Sequence, residues 1–220
     1  MTPVWLFDLD NTLHNAGVHI FPHINRAMTT YLARRLDLSH EEASALRMHY
    51  WSRFGATLRG MVRNHAERPA DFLAATHQFP DLGAMLVFDR ALLASLRRLP
   101  GRKYIFSNAP RSYVDEVLRL TGLDHVMDGS FAVEDLGYQP KPQIRAYRAV
   151  LRRLKVPASR CIMVEDTAMN LRPAHCLGMR TVWITPHAAP RPLWVDLQLR
   201  NARQLRRGLR RIQTSAGGKS

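Results

Sequence analysis

Four short apolar runs, each closing on a polar residue and separated by longer helical patterns, constrain this chain more than any other feature. They are Val4–Asp8 (VWLFD), Lys103–Ser107 (KYIFS), Cys161–Glu165 (CIMVE) and Arg180–Thr185 (RTVWIT). An apolar run of this length without alternation reads as a strand buried on both faces, the habit of parallel sheets. The intervening segments read as helices. Pro110 to Leu120 opens with proline in the first turn and stops before Gly122. Pro142 to Leu154 repeats apolar residues at helical spacing, and Thr167 to Leu177 ends at Gly178, a natural C-cap. Strands alternating with helices in this way predict an α/β core, a parallel sheet covered by helices on both faces.

The stretch from Leu13 to about Arg90 breaks the rhythm. It carries no strand pattern and reads as successive helices over Phe21–Leu36, His40–Phe54, Leu58–His65 and Pro69–Gln78. Ser39 with Glu42 three residues on is a capping box for the second of these. Ala91–Leu99 then reads as the next helix of the core. The expected division is a core built from residues 1–13 and 91–212, a helical insert over 14–90, and a frayed tail over 213–220. At 220 residues the chain is long enough for one full core with a small insert.

Charge is the unusual part of the composition. The net charge is +14, and the 32 cations comprise 28 Arg and only four Lys. Such a balance fits either a polyanionic partner or an Arg-rich coding habit that writes surface cations as Arg. Seven of the cations (Arg200, Arg203, Arg206, Arg207, Arg210, Arg211, Lys219) follow position 199 with no acid among them. Five of these Arg share an expected last helix whose apolar stripe is Leu205, Leu209 and Ile212, so a solvated face of a docked helix is the favoured reading. No apolar run approaches the ~18 residues that cross a bilayer, and Val4–Phe7 is too short for a secretory signal. Cys161 and Cys176 are too few for a disulfide framework or a zinc site and read as buried free thiols. His19 and His23 stand at i, i+4 but lack a third ligand. A soluble, cytoplasmic chain is expected.

The chemistry concentrates where the strands end. Asp8-Leu9-Asp10-Asn11-Thr12 follows the first run, Ser107-Asn108 ends the second, Glu165-Asp166 ends the third, and Lys141 stands between Pro140 and Pro142 at a helix start. Taken singly these are an acidic turn, an N-cap, an acidic helix entry and a solvated lysine. Taken together they are not bland, because open α/β sheets bind ligands beyond the carboxyl ends of their strands. Lys141 gains weight from composition: a chain that writes seven Arg for each Lys keeps a lysine here, and a compact ammonium suits a crowded anion site better than a planar guanidinium.

In order and wording this set resembles the haloacid dehalogenase-like (HAD) superfamily, phosphatase branch. The matching motifs are D-x-D-x-T at Asp8–Thr12, Ser107, Lys141-Pro142 and Glu165-Asp166. The resemblance implies a Rossmann-like core, with residues 14–90 as a small helical cap. The wording is closer still to a subgroup similar to pyrimidine 5′-nucleotidases. It shows in Phe7–Leu13 (FDLDNTL), Tyr50–Gly60 (YWSRFGATLRG), Leu99–Lys103 (LPGRK) and Val164–Leu171 (VEDTAMNL). His14 and Thr167 depart from that pattern, where relatives commonly show Tyr and Ser.

The resemblance implies a Mg²⁺-dependent phosphomonoester hydrolase acting on a small phosphorylated metabolite, a nucleoside 5′-monophosphate by subgroup. Asp8 would be the nucleophile and form an aspartyl-phosphate. Asp10 would be general acid and then general base. Lys141 would neutralise phosphoryl charge, and Ser107 with Asn108 would bind the phosphate oxygens. Asp8, the Asp10 backbone carbonyl, Asp166 and Glu165 would hold the metal, which a carboxylate attacking a phosphate dianion requires to offset like charge. Thr12 would brace the loop. Tyr50, Arg53 and Thr57 would recognise substrate, in a turn bracketed by Gly55 and Gly60. Asp10 also separates this chemistry from that of the dehalogenases, which need neither a second Asp nor Mg²⁺. The alternatives left open are a sugar-phosphate phosphatase or phosphomutase and, more remotely, a non-enzymatic nucleic-acid-binding protein on a HAD fold. No membrane or nucleic-acid partner is expected.

Overall fold

Strand β1 (Val4–Phe7) is buried along its whole length, as a strand must be with neighbours on both sides and layers on both faces. Parallel partners flank it, β2 (Arg102–Phe106) on one side and β4 (Cys161–Glu165) on the other. The sheet continues outward to β3 (Gly129–Phe131) beyond β2, and to β5 (Arg180–Ile184) and β6 (Leu197–Leu199) beyond β4. The order is β3-β2-β1-β4-β5-β6, with every pair parallel. This computed structural model describes residues 2–208. The expected α/β, Rossmann-like architecture is therefore the one present.

Alternate residues of β1 serve different cores. Val4 and Leu6 pack with Phe106, Tyr147, Met163 and Leu171. Trp5 and Phe7 face the other way, their rings stacked at 5.8 Å. The Trp5 indole N–H donates to the Pro100 carbonyl at 2.8 Å, so its one polar atom is satisfied. The crossovers are helical: α7 (Arg111–Thr121) joins β2 to β3, α8 (Ile144–Leu154) joins β3 to β4, and α9 (Ala168–Cys176) joins β4 to β5. Helix α8 buries Ala146, Tyr147 and Val150, and Arg145, Arg148 and Arg152 of the same helix lie exposed. Gly122 ends α7 in the left-handed region at φ 73, a conformation that glycine adopts without strain.

The chain divides into two units. One holds the sheet and comprises the residues up to Asn15 and from Phe88 on; the other is Ala16–Val87. The second unit consists of helices α1 (Ile20–Leu36), α2 (His40–Phe54), α3 (Thr57–His65), α4 (Pro69–Thr76) and α5 (Leu82–Met85). The capping box at α2 is formed in full: the Glu42 N–H donates to Ser39 Oγ at 3.2 Å, and the Ser39 N–H donates to Glu42 Oε2 at 2.9 Å. Glu67, though buried, is paired with Tyr31 Oη at 2.9 Å and Arg35 Nε at 3.1 Å, as a buried carboxylate must be.

Several expectations need adjustment. Strands β3 and β6 carry no signal in the sequence, because three residues each are too few to show a run or an alternation. The short α5 was likewise not foreseen. Cys161 is buried, but Cys176 is exposed. It is the last residue of α9, where the helix has turned its final side chain outward. At the C-terminal side, Ala202 and Leu205 are buried and Arg203 pairs with Asp89 at 3.0 Å. Leu209, Arg210, Arg211, Ile212, Lys219 and the expected tail over 213–220 lie outside the described residues. Among the described residues no helix is long and apolar enough to cross a membrane.

Candidate active site

The chain leaves β1 towards β2 on one side and comes back to β4 on the other. The strand order therefore reverses at the carboxyl end of β1, where open α/β sheets form a crevice. Asp8 sits there. Its N–H continues the ladder to the Val164 carbonyl at 2.9 Å. Asn11 then takes a left-handed conformation at φ 60, and the Leu13 N–H closes back on the Leu9 carbonyl at 2.9 Å. Asparagine tolerates that region better than most side chains. The turn brings Thr12 over the strand end, and its hydroxyl donates to Asp8 Oδ2 at 2.9 Å. Thr12 thus braces the carboxylate itself and not only the loop.

Lys141 is fully buried and reaches the same point. Its ammonium donates to Asp8 Oδ1 and to Glu165 Oε2, each at 2.7 Å, and lies 5.1 Å from the centre of the Phe106 ring. Asn108 holds the Lys141 backbone from both sides: Lys141 N–H donates to Asn108 Oδ1 at 2.7 Å, and Asn108 Nδ2 donates to the Lys141 carbonyl at 3.0 Å. Ser107 is buried, its N–H on the Phe131 carbonyl and its Oγ accepting from the Ala109 N–H, both at 3.0 Å. The other Glu165 oxygen accepts from the Thr167 N–H at 3.2 Å. Two indoles tie down the turn after β4. Trp183 Nε1 donates to the Asp166 carbonyl at 2.6 Å, and Trp194 Nε1 donates to the Ala168 carbonyl at 2.8 Å.

Three carboxylates and one ammonium do not balance. Asp8, Glu165 and Asp166 each offer an oxygen within 4.8 Å of the others. Burial is the main force on each, with their mutual repulsion added, and Lys141 offsets only part of it. Asp8 and Glu165 are pushed up to about 7 and Asp166 to about 6. Burial alone would lower Lys141, but Asp8 and Glu165 outweigh it and hold the ammonium above its ordinary range. This donor set fits a hard divalent cation: the oxygens converge, and the surplus negative charge is what such an ion would neutralise.

Asp10 is held from two sides. The Tyr113 hydroxyl donates to Asp10 Oδ1 at 2.5 Å, and His14 Nε2 lies 3.1 Å from the same oxygen. The His14 contact is close but misaligned, so both buried ring nitrogens lack a well-formed hydrogen bond. Tyr113 is buried, and burial beside Asp10 pushes its phenol up, so it remains a donor. Sequence reasoning missed Tyr113. The one available signal was its place in the first turn of the helix that follows Ser107-Asn108.

The remaining candidates belong to the helical unit. Tyr50 is buried with its hydroxyl 2.6 Å from His65 Nε2. Thr57 is buried and donates to the Arg47 carbonyl at 3.4 Å. Arg53 is exposed, its guanidinium 5.8 Å from the Phe54 ring centre. Gly60 has a packing reason: a Cβ there would stand 2.1 Å from Tyr50 Cγ. A separate cavity of about 520 Å³ at the ends of β5 and β6, lined by Thr185, His187, Gln198, Arg200, Gln204 and Arg207, contains none of the carboxylates.

Several known proteins are similar to this chain. Phosphate metabolism protein 8 of Saccharomyces cerevisiae is 22% identical over 194 residues, covering 80% of this chain and 59% of its own length. The chain thus spans less than two thirds of that curated relative. The HAD phosphatase from Thermococcus onnurineus superposes with a TM-score of 0.66 at 22% identity, over 95% of this chain and 98% of that one. CbbY from Rhodobacter sphaeroides, solved in complex with phosphate, gives 0.66 at 21% identity over 93% and 96%. At these identities the two structures speak for the fold alone. The family model of haloacid dehalogenase-like hydrolases matches residues 4–178. That stretch runs from the first residue of β1 to the glycine after α9, and on it the chain belongs to the haloacid dehalogenase-like hydrolase family.

Proposed function

We propose that this chain is a Mg²⁺-dependent phosphomonoester hydrolase that works through an aspartyl-phosphate on Asp8, with nucleoside 5′-monophosphates, pyrimidine before purine, as its substrates. The observation that carries the reading is the buried Lys141 ammonium, 2.7 Å from both Asp8 and Glu165 in a site with surplus negative charge. With a divalent cation offsetting that surplus, such a centre would suit a phosphoryl group, whose charge must be met by fixed cations. The Asp8 carboxylate attacks phosphorus, and the bond to the leaving oxygen breaks. Asp10 gives that oxygen a proton, then takes one from the water that attacks the aspartyl-phosphate, so inorganic phosphate leaves and Asp8 is restored. Lys141, the Ser107 hydroxyl and the Asn108 N–H orient the phosphoryl oxygens. Asp8, Asp166 and the Asp10 carbonyl would hold Mg²⁺, with Glu165 direct or through water, and the ion supplies charge neutralisation between nucleophile and phosphate.

In this reading residues 14–90 are a cap that chooses the leaving group. Of the three recognition candidates, Arg53 is the exposed one, with Tyr50 and Thr57 shaping the unit around it. The nucleotide preference rests on the wording of Tyr50–Gly60 and Val164–Leu171.

A Mg²⁺-supplemented screen of phosphorylated metabolites tests the whole. Free phosphate is expected from UMP and CMP; isomerised hexose phosphate would make the chain a mutase, and release from sugar phosphates alone would move the substrate class. Asp8→Asn is expected to abolish p-nitrophenyl phosphate hydrolysis with the fold intact, and EDTA to silence the wild type until Mg²⁺ is restored. Activity of Asp8→Asn above a few per cent, or indifference to chelation, would refute the nucleophile or the metal.

A further inference from the structure

We propose that Trp183 is a positioning residue that holds Asp166 in place for the divalent cation. This rests on the reading of Asp8, Glu165 and Asp166 as a metal site. Asp166 is the least buried of the three carboxylates. Without an ion the three repel one another, and Asp166 is the one nearest to solvent into which it could turn. What resists this is the peptide that joins Asp166 to Thr167. Its carbonyl accepts from Trp183 Nε1 at 2.6 Å, and its N–H donates to Glu165 Oε1 at 3.2 Å. A peptide unit is planar, so holding both of its polar groups fixes its plane and the backbone from which the Asp166 side chain leaves. The Thr167 hydroxyl adds a contact to Asp166 Oδ1 at 3.4 Å.

The indole can do this because the sheet places it. In the parallel pairing of β4 with β5, Trp183 lies opposite Glu165, so its side chain has only to reach the next residue along. The ring packs against the core that contains Leu6, Met163 and Leu171. The hold continues into α9. Trp194 Nε1 donates to the Ala168 carbonyl at 2.8 Å, with the Arg172 guanidinium 5.6 Å from its ring centre, and the Tyr147 hydroxyl donates to the Asn170 carbonyl. The carbonyls of residues 166, 168 and 170 are thereby held by three side chains distant in sequence. Of these three donors, Trp183 is the one bonded to a member of the acid cluster. Partners behind the direct ligands raise metal affinity because they reduce the rearrangement that binding demands.

Mn²⁺ is the probe, because loss of its free-ion paramagnetic resonance signal counts bound metal without reference to activity. Trp183→Phe keeps an aromatic ring and removes the N–H. It is expected to weaken Mn²⁺ binding roughly tenfold or more, the usual effect of losing a partner behind a ligand. Trp5→Phe is the matched control. It also loses an indole-to-carbonyl bond in the same sheet, to Pro100, and is expected to change the Mn²⁺ dissociation constant by less than about twofold. In Trp183→Phe the Mg²⁺ concentration for half-maximal p-nitrophenyl phosphate hydrolysis is expected to rise with the loss of affinity, while kcat at saturating Mg²⁺ stays within about threefold of wild type. Should either variant not fold, benzothienylalanine at the same position keeps the indole shape and lacks the N–H. Unchanged Mn²⁺ affinity in Trp183→Phe would overturn the proposal, and so would equal weakening in Trp5→Phe, which marks a merely structural role. Failure of the underlying reading looks different: the wild type would bind no Mn²⁺, or Asp166→Ala would bind it equally well, and the proposal would fall with the metal site.

Discussion

Lys141 donates to two carboxylates from a position 1% exposed, and that pairing makes its replacement informative. A guanidinium is planar and broader than an ammonium, and it cannot place one donor between two oxygens 2.7 Å away in a closed site. Lys141→Arg is expected to lower kcat for p-nitrophenyl phosphate by roughly a hundredfold or more, which steady-state kinetics would check. Lys141→Met asks a different question, because it leaves Asp8 and Glu165 buried without their cation. Removing one partner of a buried pair costs about 3–5 kcal/mol. Metal-free urea unfolding at pH 8 is expected to show a loss near the lower figure, and a smaller one at pH 5, where the carboxyls take up protons. At this scale much was legible: D-x-D-x-T, Ser107, Lys141 and Glu165-Asp166 are visible as residue types at strand ends. The partners were not. That Thr12 donates to Asp8, Asn108 to the Lys141 backbone and Tyr113 to Asp10 depends on side-chain directions that spacing does not encode.

Helices α2 and α3 meet over Gly60. A methyl group there would stand 2.1 Å from Tyr50 Cγ, a ring carbon that cannot swing aside. Gly→Ala inside a helix ordinarily gains up to about 1 kcal/mol from backbone propensity, but overpacking a closed contact costs about 1–3 kcal/mol. The steric cost wins here: Gly60→Ala is expected to destabilise the helical unit by about 1–2 kcal/mol, read from its thermal or urea midpoint. Gly60 had invited a reading as part of a turn near the substrate. Its place under Tyr50 supplies a packing reason that the bare spacing of Gly55 and Gly60 could not. The capping box before α2 shows the reverse case. Ser39 and Glu42 are local partners three residues apart, and local geometry is what a sequence states most clearly.

Over the whole molecule, the buried acid cluster links stability to pH and to metal. Asp8 and Glu165 rise from ordinary values of 3.8 and 4.5 to about 7, and Asp166 from 3.8 to about 6. Between about pH 4 and pH 7 the folded protein therefore holds more protons than the unfolded chain, and this group's contribution to stability falls as pH rises through that window. Above about pH 7 the penalty is fully present. A divalent cation on the three carboxylates reverses it. Thermal unfolding is expected to show a Mg²⁺-dependent rise in Tm at pH 8 that shrinks at pH 5, where protons compete with the ion. An equal rise at both pH values would disconnect the cluster from the metal. A net charge of +14 over the whole chain favours the approach of anions.

Strand runs, helix periods and caps are local properties, and from them the α/β class, the helical insertion and the acidic strand end could all be read before any coordinate. The family followed from the order of four motifs. The two three-residue edge strands, the solvent-facing turn of Cys176 and the grip of Tyr113 on Asp10 could not be read in that way. Each depends on which distant surfaces meet when the sheet assembles. Residues 103 apart become hydrogen-bond partners because β1 and β2 lie side by side and α7 follows β2 with Tyr113 on its buried face. The residue types at the strand ends stand in the sequence, while their mutual placement comes from long-range packing, which no local pattern records.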